Sequence, residues 1–180
     1  ISDEIKEDST KAIEKLKNQG IKKTVMLTGD RKQVGEEVAK KLKIDKVYTE
    51  LLPTDKVEKL QKILDKKKGK VAFVGDGLND APALAMADIG IAMGGYGTDA
   101  AIEAADIVIM TDEPLKICEA INVARKTMKI SKENIVFAIS LKLIALLLVF
   151  FGVATMWEAV FADVGVTVLA TLNSLRTLKK

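Results

Sequence analysis

The sequence has 180 residues, of which 29% are charged and 48% are hydrophobic, and its formal net charge is +3. This length allows one good-sized domain, or a smaller domain with an appendage. The chain contains no histidine and a single cysteine, Cys118. One cysteine excludes an internal disulfide and a cysteine-rich metal centre, and the lack of histidine removes the commonest transition-metal ligand and general base. Any chemistry therefore depends on carboxylates, lysines and backbone amides.

The charged residues are unevenly distributed along the chain. Nearly all of them lie before about residue 133, and the remainder is almost continuously apolar. The sequence begins at Ile1 and shows no signal peptide and no linker rich in glycine or proline. We therefore expect a fragment of a longer protein.

The charged part alternates predicted helices with predicted strands. Apolar residues spaced three and four apart predict helices, and short apolar runs bounded by glycine or polar residues predict strands. The predicted helices lie at 2–18, 33–42, 53–64, 80–86, 98–104 and 114–134, and the predicted strands at 24–27, 47–48, 71–75, 89–92 and 107–110. This alternation predicts an α/β fold with a parallel, doubly wound sheet.

The stretch 71–84 is the most informative part of the sequence. A buried strand ends in a turn that carries Asp76 and Asp80, and Asn79 or Asp80 can cap the helix that follows. In open α/β sheets, ligands bind at the carboxyl ends of the strands. Carboxylates at that edge suit Mg²⁺, which prefers oxygen ligands. The other interpretation is a turn in which aspartate and asparagine serve only as caps.

Two further groups are expected at the same edge. Thr28 and Gly29 follow the strand at 24–27, and Lys56 lies at the start of a helix after Pro53. Thr28 and Gly29 offer a hydroxyl and an amide to phosphate oxygens, and Lys56 supplies a compact positive charge. Taken singly, Thr28 is typical of a turn and Lys56 of a surface. Together they predict a site for phosphoryl chemistry, but one without a nucleophile in a suitable strand-end motif.

The apolar part predicts a transmembrane helical hairpin. Residues 135–154 contain one charge, Lys142, and are long enough to cross roughly 30 Å of hydrocarbon. A tight connection at 155–158 leads to a second span at 159–172, which contains Asp163. Lysine and arginine flank the outer ends only, so both ends are expected in the cytoplasm. A buried hairpin in a soluble protein is the other interpretation.

Lys142 and Asp163 are predicted to form a functional pair, because intramembrane charges of opposite sign usually face each other or a polar cavity. In the other interpretation, Lys142 extends to the interface and Asp163 caps a helix end. Counted from Trp157, Lys142 is expected to lie deeper than Asp163 by about 10 Å unless the turn is asymmetric, and the long lysine side chain can close part of that gap.

The motif Gly75-Asp76-Gly77-Leu78-Asn79-Asp80-Ala81-Pro82-Ala83-Leu84 resembles the hinge motif of P-type ATPases, whose phosphorylation domain is of the haloacid-dehalogenase-like, Rossmann-like type. The resemblance implies phosphate contacts from Thr28-Gly29-Asp30, a phosphate-neutralising Lys56, Mg²⁺ binding by Asp76, and ordering of the phosphorylated site by Asn79 and Asp80. The family's nucleophile motif, Asp-Lys-Thr-Gly-Thr, does not occur in these 180 residues. The resemblance therefore covers part of an active site.

The segment from Met156 to Gly165, with a lysine in the preceding span, is similar to the zinc-, cadmium- and lead-exporting members of that family. This resemblance implies that Asp163 binds the transported divalent ion and that Lys142 acts as its counter-charge. It also implies Mg²⁺, ATP bound mainly by an upstream domain, the rest of the pump and the lipid bilayer as partners, and no nucleic acid. The expected location is a cell or inner membrane, with several spans and a cytoplasmic phosphorylation domain.

The expected organisation is a phosphorylation-domain part at 1–120, a basic connecting helix at 121–134, two transmembrane helices at 135–175 and a cytoplasmic tail at 176–180. Two other functions stay open at this point. One is a membrane-anchored, catalytically inactive module that binds or regulates a full pump, and the other is a soluble phosphatase of the haloacid-dehalogenase-like type.

Overall fold

The computed structural model describes residues 7–66, 68–75, 78–94 and 99–178. The chain divides into two compact units, Ile1–Cys118 and Glu119–Lys180. The predicted Mg²⁺ ligand Asp76 lies outside the described residues.

The first unit opens with a β-α-β arrangement. Its elements are helix α1 (Glu7–Asn18), strand β1 (Val25–Leu27), helix α2 (Lys32–Lys41) and strand β2 (Lys46–Tyr48). Strands β1 and β2 are parallel, with Val25 opposite Lys46 and Leu27 opposite Tyr48. Gly20 ends α1 with a φ of +91°, a conformation that glycine adopts without steric cost.

The remainder of the first unit is a second set of parallel strands. Its elements are helix α3 (Pro53–Asp65), strand β3 (Ala72–Gly75), a 3₁₀ turn (Leu78–Asp80), helix α4 (Ala81–Met86), strand β4 (Ile89–Met93), helix α5 (Asp99–Ala104) and strand β5 (Ile107–Ile109). The strand order is β3-β4-β5, and all pairs are parallel. The prediction of a parallel α/β fold is confirmed, although the described strands form two separate ladders.

The core of the first unit lies where α4 and α5 cover β4. Leu84, Ala92 and Ala101 are buried there, with Phe73 and Val108 packed against them. A Cβ at Gly90 would lie only 2.5 Å from the carbonyl oxygen of Leu84. Glycine at this position therefore lets helix α4 lie directly on strand β4, which fixes the turn that precedes the helix.

The second unit is built from two long helices. Helix α6 (Leu115–Phe150) has 36 residues, and helix α7 (Met156–Ser174) has 19 residues and is followed by a 3₁₀ turn (Leu175–Thr177). By length and composition alone, each is apolar enough to cross a membrane. Most of their large apolar side chains are exposed, including Leu146 and Phe161. Such faces require an apolar surrounding or a protein partner.

The connection between the two helices differs from the sequence prediction. It was expected at 155–158, but α6 ends at Phe150 and α7 begins at Met156. Gly152 has a φ of +70° in the connection, and the backbone amide of Thr155 donates to Glu158 Oε2 at 2.7 Å. Glu158 therefore caps the start of α7 instead of forming part of a turn.

Candidate functional site

The turn after β1 is held by backbone bonds to the strand that pairs with it. The amide of Thr28 donates to the carbonyl of Tyr48 at 3.0 Å, and the carbonyl of Thr28 accepts from the amide of Leu51 at 3.1 Å. The amide of Glu50 donates to the carbonyl of Asp30 at 2.9 Å. These bonds bring the loop after β2, which leads into α3, alongside Thr28-Gly29-Asp30.

The side chains of this turn bind each other. Thr28 Oγ1 donates to Asp30 Oδ2 at 2.7 Å and accepts from the Asp30 amide at 3.1 Å. A Cβ at Gly29 would lie 3.2 Å from the carbonyl oxygen of Leu51. Half-buried Thr28 and exposed Asp30 therefore hold each other in a fixed arrangement, and Gly29 keeps the adjacent backbone close to the next loop.

The position of Lys56 is set by the start of helix α3. Pro53 occupies the first turn, and the amide of Leu52 donates to Asp55 Oδ2 at 2.9 Å. A carboxylate there satisfies an amide that the helix leaves without a partner. This capping role of Asp55 was not predicted from the sequence, although a carboxylate three residues after the residue that precedes a helix is a recognisable signal.

Lys56 forms an ion pair with Asp80. Lys56 Nζ lies 2.9 Å from Asp80 Oδ1, and the two side chains are 21% and 12% exposed. Asp80 is buried and is the last residue of the 3₁₀ turn after β3, while Asn79 beside it is exposed. The ion pair therefore joins the helix that follows β2 to the turn that follows β3.

Gly75 makes room for the Asp80 carboxylate at the end of β3. A Cβ at Gly75 would lie 2.7 Å from Asp80 Cβ and 3.0 Å from Asp80 Oδ2. Such a contact is too close for any side chain, so glycine is required if Asp80 is to keep its position. Gly75 and Asp80 belong to the same sequence motif. The role of Gly75 is to leave space for the Asp80 side chain.

The nearby end of β2 is positively charged. The amines of Lys46 and Lys59 lie 4.6 and 5.1 Å from the ring centre of Tyr48. A hydrogen bond to Lys46 and the positive charges of Lys46 and Lys59 lower the pKa of the Tyr48 phenol, and burial offsets only part of that effect. Anionic groups are favoured near this surface.

The second unit brings its two predicted site residues together. Lys142 Nζ lies 2.9 Å from Asp163 Oδ1, and both side chains are about half exposed, at 59% and 51%. A cavity of about 230 Å³ surrounds the pair and is lined by alanine, leucine and valine of both helices, among them Ala145, Ala162 and Val166. The Lys142–Asp163 ion pair therefore lies in a groove whose other lining side chains are apolar.

The expected difference in depth between the two residues is absent. Lys142 lies just over two helical turns before Phe150, where α6 ends, and Asp163 lies just under two turns after Met156, where α7 begins. The two residues are therefore nearly level. The expected difference in depth applied to a turn symmetric about Trp157, whereas the connection at 151–155 precedes Trp157, which lies inside α7.

Comparison with known proteins identifies the family. Residues 1–88 match the model of the haloacid dehalogenase-like hydrolases. The chain is 58% identical to a cadmium, zinc and cobalt-transporting ATPase of Bacillus subtilis (strain 168), over 99% of this chain and 26% of that protein. It is 56% identical to a zinc-transporting ATPase of Synechocystis, over 99% of this chain and 25% of that protein. The chain belongs to the P-type ATPase family. The relatives that it matches are metal-transporting ATPases.

A solved structure of the family has the same fold. The crystal structure of a zinc-transporting PIB-type ATPase in an E2.Pi state matches with a TM-score of 0.90 and 40% identity, over 98% of this chain and 28% of that chain. The chain spans about a quarter of the length of the curated relatives it matches. The predicted family and fold are confirmed, and a separate inactive module is not favoured by these matches.

The oxygen donors of this P-type ATPase chain suit Mg²⁺, but the described residues do not form a complete site. In residues 7–66, 68–75, 78–94 and 99–178, no group of three or more Asp, Glu, Cys or His side chains is arranged to hold a metal ion. One carboxylate oxygen of Asp80, Oδ1, already forms an ion pair with Lys56 Nζ. A complete Mg²⁺ site therefore needs oxygen ligands from outside these described residues.

Proposed function

We propose that the protein containing these residues is an ATP-driven pump that exports Zn²⁺, Cd²⁺ or Pb²⁺ through an aspartyl-phosphate intermediate. The observation that carries the proposal is the Lys142–Asp163 contact of 2.9 Å between two long apolar helices. A lysine and a carboxylate in such helices are costly unless they serve a site. The first unit adds a fold and a Lys56–Asp80 pair suited to phosphoryl chemistry.

In the proposed catalytic site, this chain binds and orients the phosphorylated group. The Thr28 hydroxyl and the Gly29 amide donate hydrogen bonds to phosphate oxygens, and Asp30 keeps the Thr28 hydroxyl in place at 2.7 Å until phosphate binds. Lys56 neutralises negative charge on the phosphoryl group, and Asp80 directs the lysine toward it. Asn79, exposed beside Asp80, helps to order the same region.

Asp76 is the proposed Mg²⁺ ligand. When bound, Mg²⁺ neutralises charge on the phosphate oxygens. The nucleophilic aspartate and most of the ATP-binding surface are supplied by residues outside this chain, because the sequence contains no Asp-Lys-Thr-Gly-Thr motif.

In the proposed transport site, Asp163 is a ligand of the exported ion and Lys142 competes with that ion. When no metal is bound, Lys142 Nζ forms an ion pair with Asp163 Oδ1 at 2.9 Å. A divalent ion that binds Asp163 displaces the amine, and the amine favours release when it returns. The built-in cation removes the need for a counter-transported ion. Zn²⁺, Cd²⁺ and Pb²⁺ all accept carboxylate together with softer ligands.

The proposed organisation keeps the boundaries given by the sequence. Residues 1–120 form part of a cytoplasmic phosphorylation domain, 121–134 a connecting helix, 135–175 two membrane spans and 176–180 a cytoplasmic tail. Basic residues flank the outer ends of the hairpin, which supports a cytoplasmic location for both ends. The pump lies in a cell or inner membrane.

The direct test of transport uses the full-length protein reconstituted in lipid. Asp163→Ala is expected to abolish the stimulation of ATP hydrolysis by Zn²⁺, while Ser140→Ala, close to Lys142 on α6, retains it. Undiminished stimulation of the Asp163→Ala variant would overturn the transport assignment. Separately, Asp76→Asn is expected to block phosphoenzyme formation, and normal phosphorylation would refute its role in binding Mg²⁺.

A further inference from the structure

The two long helices share a second polar contact that the transport site does not use. It consists of the four side chains Glu133, Asn134, Asn173 and Arg176, which we call the clasp. Asn173 Nδ2 donates to Asn134 Oδ1 at 2.7 Å, and Arg176 Nη1 donates to Asn173 Oδ1 at 2.9 Å. Arg176 Nη1 also lies 3.5 Å from Glu133 Oε2. Because Glu133 and Asn134 are adjacent in α6, these contacts form a closed ring between the helices.

The clasp is anchored to the backbone of α7. Asn134 Nδ2 donates to the carbonyl of Ala170 at 3.0 Å and to Ser174 Oγ at 2.9 Å. Both amide groups thus use their oxygen as an acceptor and their nitrogen as a donor, so neither side chain can rotate without losing bonds. Asn134 and Asn173 are half-buried between the helices, whereas Ile135 and Val136 beside them are exposed.

The position of the clasp fixes how far one helix can slide along the other. Asn134 precedes Lys142 on α6 by just over two helical turns, and Ala170 follows Asp163 on α7 by just under two turns. At about 1.5 Å per residue, the two contacts are therefore separated by about 12 Å on α6 and about 10.5 Å on α7. These nearly equal spacings mean that one register of the antiparallel helices satisfies both contacts.

The helix faces between the two contacts do not provide another polar bond that would set this register, as far as the described residues show. The groove around Lys142 and Asp163 is lined otherwise by apolar side chains such as Ala145, Ala159 and Val166. The hydroxyls of Thr167 and Thr171 donate to carbonyls of their own helix, at 3.0 and 2.9 Å. Small apolar side chains allow close approach of two helices but resist sliding only weakly.

We propose that the clasp holds α6 and α7 in the register that places the Lys142 amine on the Asp163 carboxylate. Its members are positioning residues that act on the transport site through the two helices. This inference rests on the proposed function for its effect on metal export. The register itself does not depend on that function.

The first measurement is the register, and it needs no metal. Spin labels at two exposed positions near the clasp, Met128 on α6 and Leu178 directly after the 3₁₀ turn that follows α7, report the separation of these positions in the full-length protein. We expect Asn134→Leu and Asn173→Leu, singly, to shift or broaden the distance distribution, because each leaves a half-buried amide without its partner. The double variant is expected to recover a narrower distribution, since two leucines replace the amide pair by an apolar contact.

The second measurement is the dependence of ATP hydrolysis on Zn²⁺ concentration. A looser register removes the lysine from Asp163 for part of the time, so the ion binds more tightly and leaves more slowly. We expect each single variant to lower both the half-stimulating Zn²⁺ concentration and the maximal rate, by about 3- to 20-fold. A protein that is merely less stable would lose maximal rate at an unchanged half-stimulating concentration. The double variant should return to within about threefold of the parent.

Thr171→Val is the matched control, because it removes a polar group from the same helix without touching α6. Arg176→Gln keeps the amide pair and provides a milder variant if a leucine variant does not accumulate as folded protein. Unchanged distances in all clasp variants would overturn the inference, as would effects on Zn²⁺ dependence equal to those of Thr171→Val. A third outcome is that the distances between the spin labels change but Zn²⁺ does not stimulate ATP hydrolysis by the parent protein. That outcome would support the role of the clasp in setting the register and would contradict the proposed function.

Discussion

Lys56 Nζ and Asp80 Oδ1 lie 2.9 Å apart and join two turns that follow different strands. The lysine belongs to the first turn of α3, whose start is capped by Asp55, and the aspartate ends the 3₁₀ turn after β3. Asp80 is the buried charged residue of the described chain. The pair therefore combines a structural role with the proposed phosphate-binding role, and variants can separate the two.

Replacement of Lys56 by methionine is expected to lower both stability and phosphorylation. The change leaves the Asp80 carboxylate without its charged partner, which costs about 1.5–3 kcal/mol of unfolding free energy. It also removes the positive charge proposed to face the phosphoryl group, so phosphoenzyme formation from radiolabelled ATP should fall by about 100-fold or more. Thermal unfolding and phosphoenzyme yield measure the two effects.

Lys62→Met is the control for this variant. Lys62 lies on the same helix and pairs with Glu58 at 3.7 Å on the exposed surface. Exposed pairs contribute little to stability. Equal phosphoenzyme yields in the Lys56→Met and Lys62→Met proteins would show that Lys56 does not act on phosphate.

Replacement of Gly75 by alanine is expected to displace Asp80. The new Cβ would lie 2.7 Å from Asp80 Cβ, so the turn after β3 must shift and the pair with Lys56 is weakened. We expect a loss of about 1–3 kcal/mol, as for other overpacked sites, and a reduced phosphoenzyme yield. Gly69→Ala serves as the control, since a Cβ there meets no atom within 4 Å. A stable, fully phosphorylated Gly75→Ala protein would contradict the close contact.

Much of the proposed catalytic site could be predicted from the sequence because it depends on local patterns. Short apolar runs that end in glycine or a polar turn predicted strands β1 and β3, and polar residues after parallel strands meet at one edge of a sheet. The contact between Lys56 and Asp80 is consistent with that rule. The capping bond of Asp55 and the room that Gly75 makes for Asp80 did not follow, because both depend on backbone positions that only the folded turns define.

The helical hairpin shows why polarity alone places boundaries poorly. The sequence separated a basic helix at 114–134 from an apolar span at 135–154, but one helix, Leu115–Phe150, contains most of both. Backbone hydrogen bonds of a helix form regardless of side-chain polarity. The pattern Thr155-Met156-Trp157-Glu158 contained a capping signal that indicated a helix start, and Gly152 indicated where α6 ends. The pairing of Asn134 with Asn173 carried no comparable local signal.

Variants of the Lys142–Asp163 pair are expected to affect thermal stability and metal transport differently. Lys142→Met or Asp163→Leu alone leaves one charge in an apolar groove, at a cost of about 2.5–3.5 kcal/mol on insertion scales. The double variant Lys142→Met/Asp163→Leu removes both charges and should recover the thermal stability of the parent protein in detergent. It should still show no stimulation of ATP hydrolysis by Zn²⁺. Stimulation in the double variant would show that the pair has only a structural role.

The last prediction concerns Asp45, which ties β1 to the loop before β2. Its carboxylate accepts from the Lys17 amine at 2.7 Å, from the Thr24 amide at 2.7 Å and from the Thr24 hydroxyl at 2.8 Å. The hydrogen bond to Lys17, followed by those to Thr24, holds the pKa of Asp45 well below its ordinary value.

A lowered pKa in the folded state means that the unfolded chain takes up the proton first as pH falls. The contribution of Asp45 to stability is therefore fully present above the ordinary carboxyl pKa of about 3.9 and is lost progressively below it. Asp45→Asn should lower the thermal midpoint by a constant amount from neutral pH down to about pH 5, and the difference from the parent protein should narrow below about pH 4. Glu58→Gln, which removes an exposed partner of Lys62, is the control and should have a smaller effect at neutral pH. A difference that grows on acidification would show that the bonds to Asp45 do not stabilise its charged form.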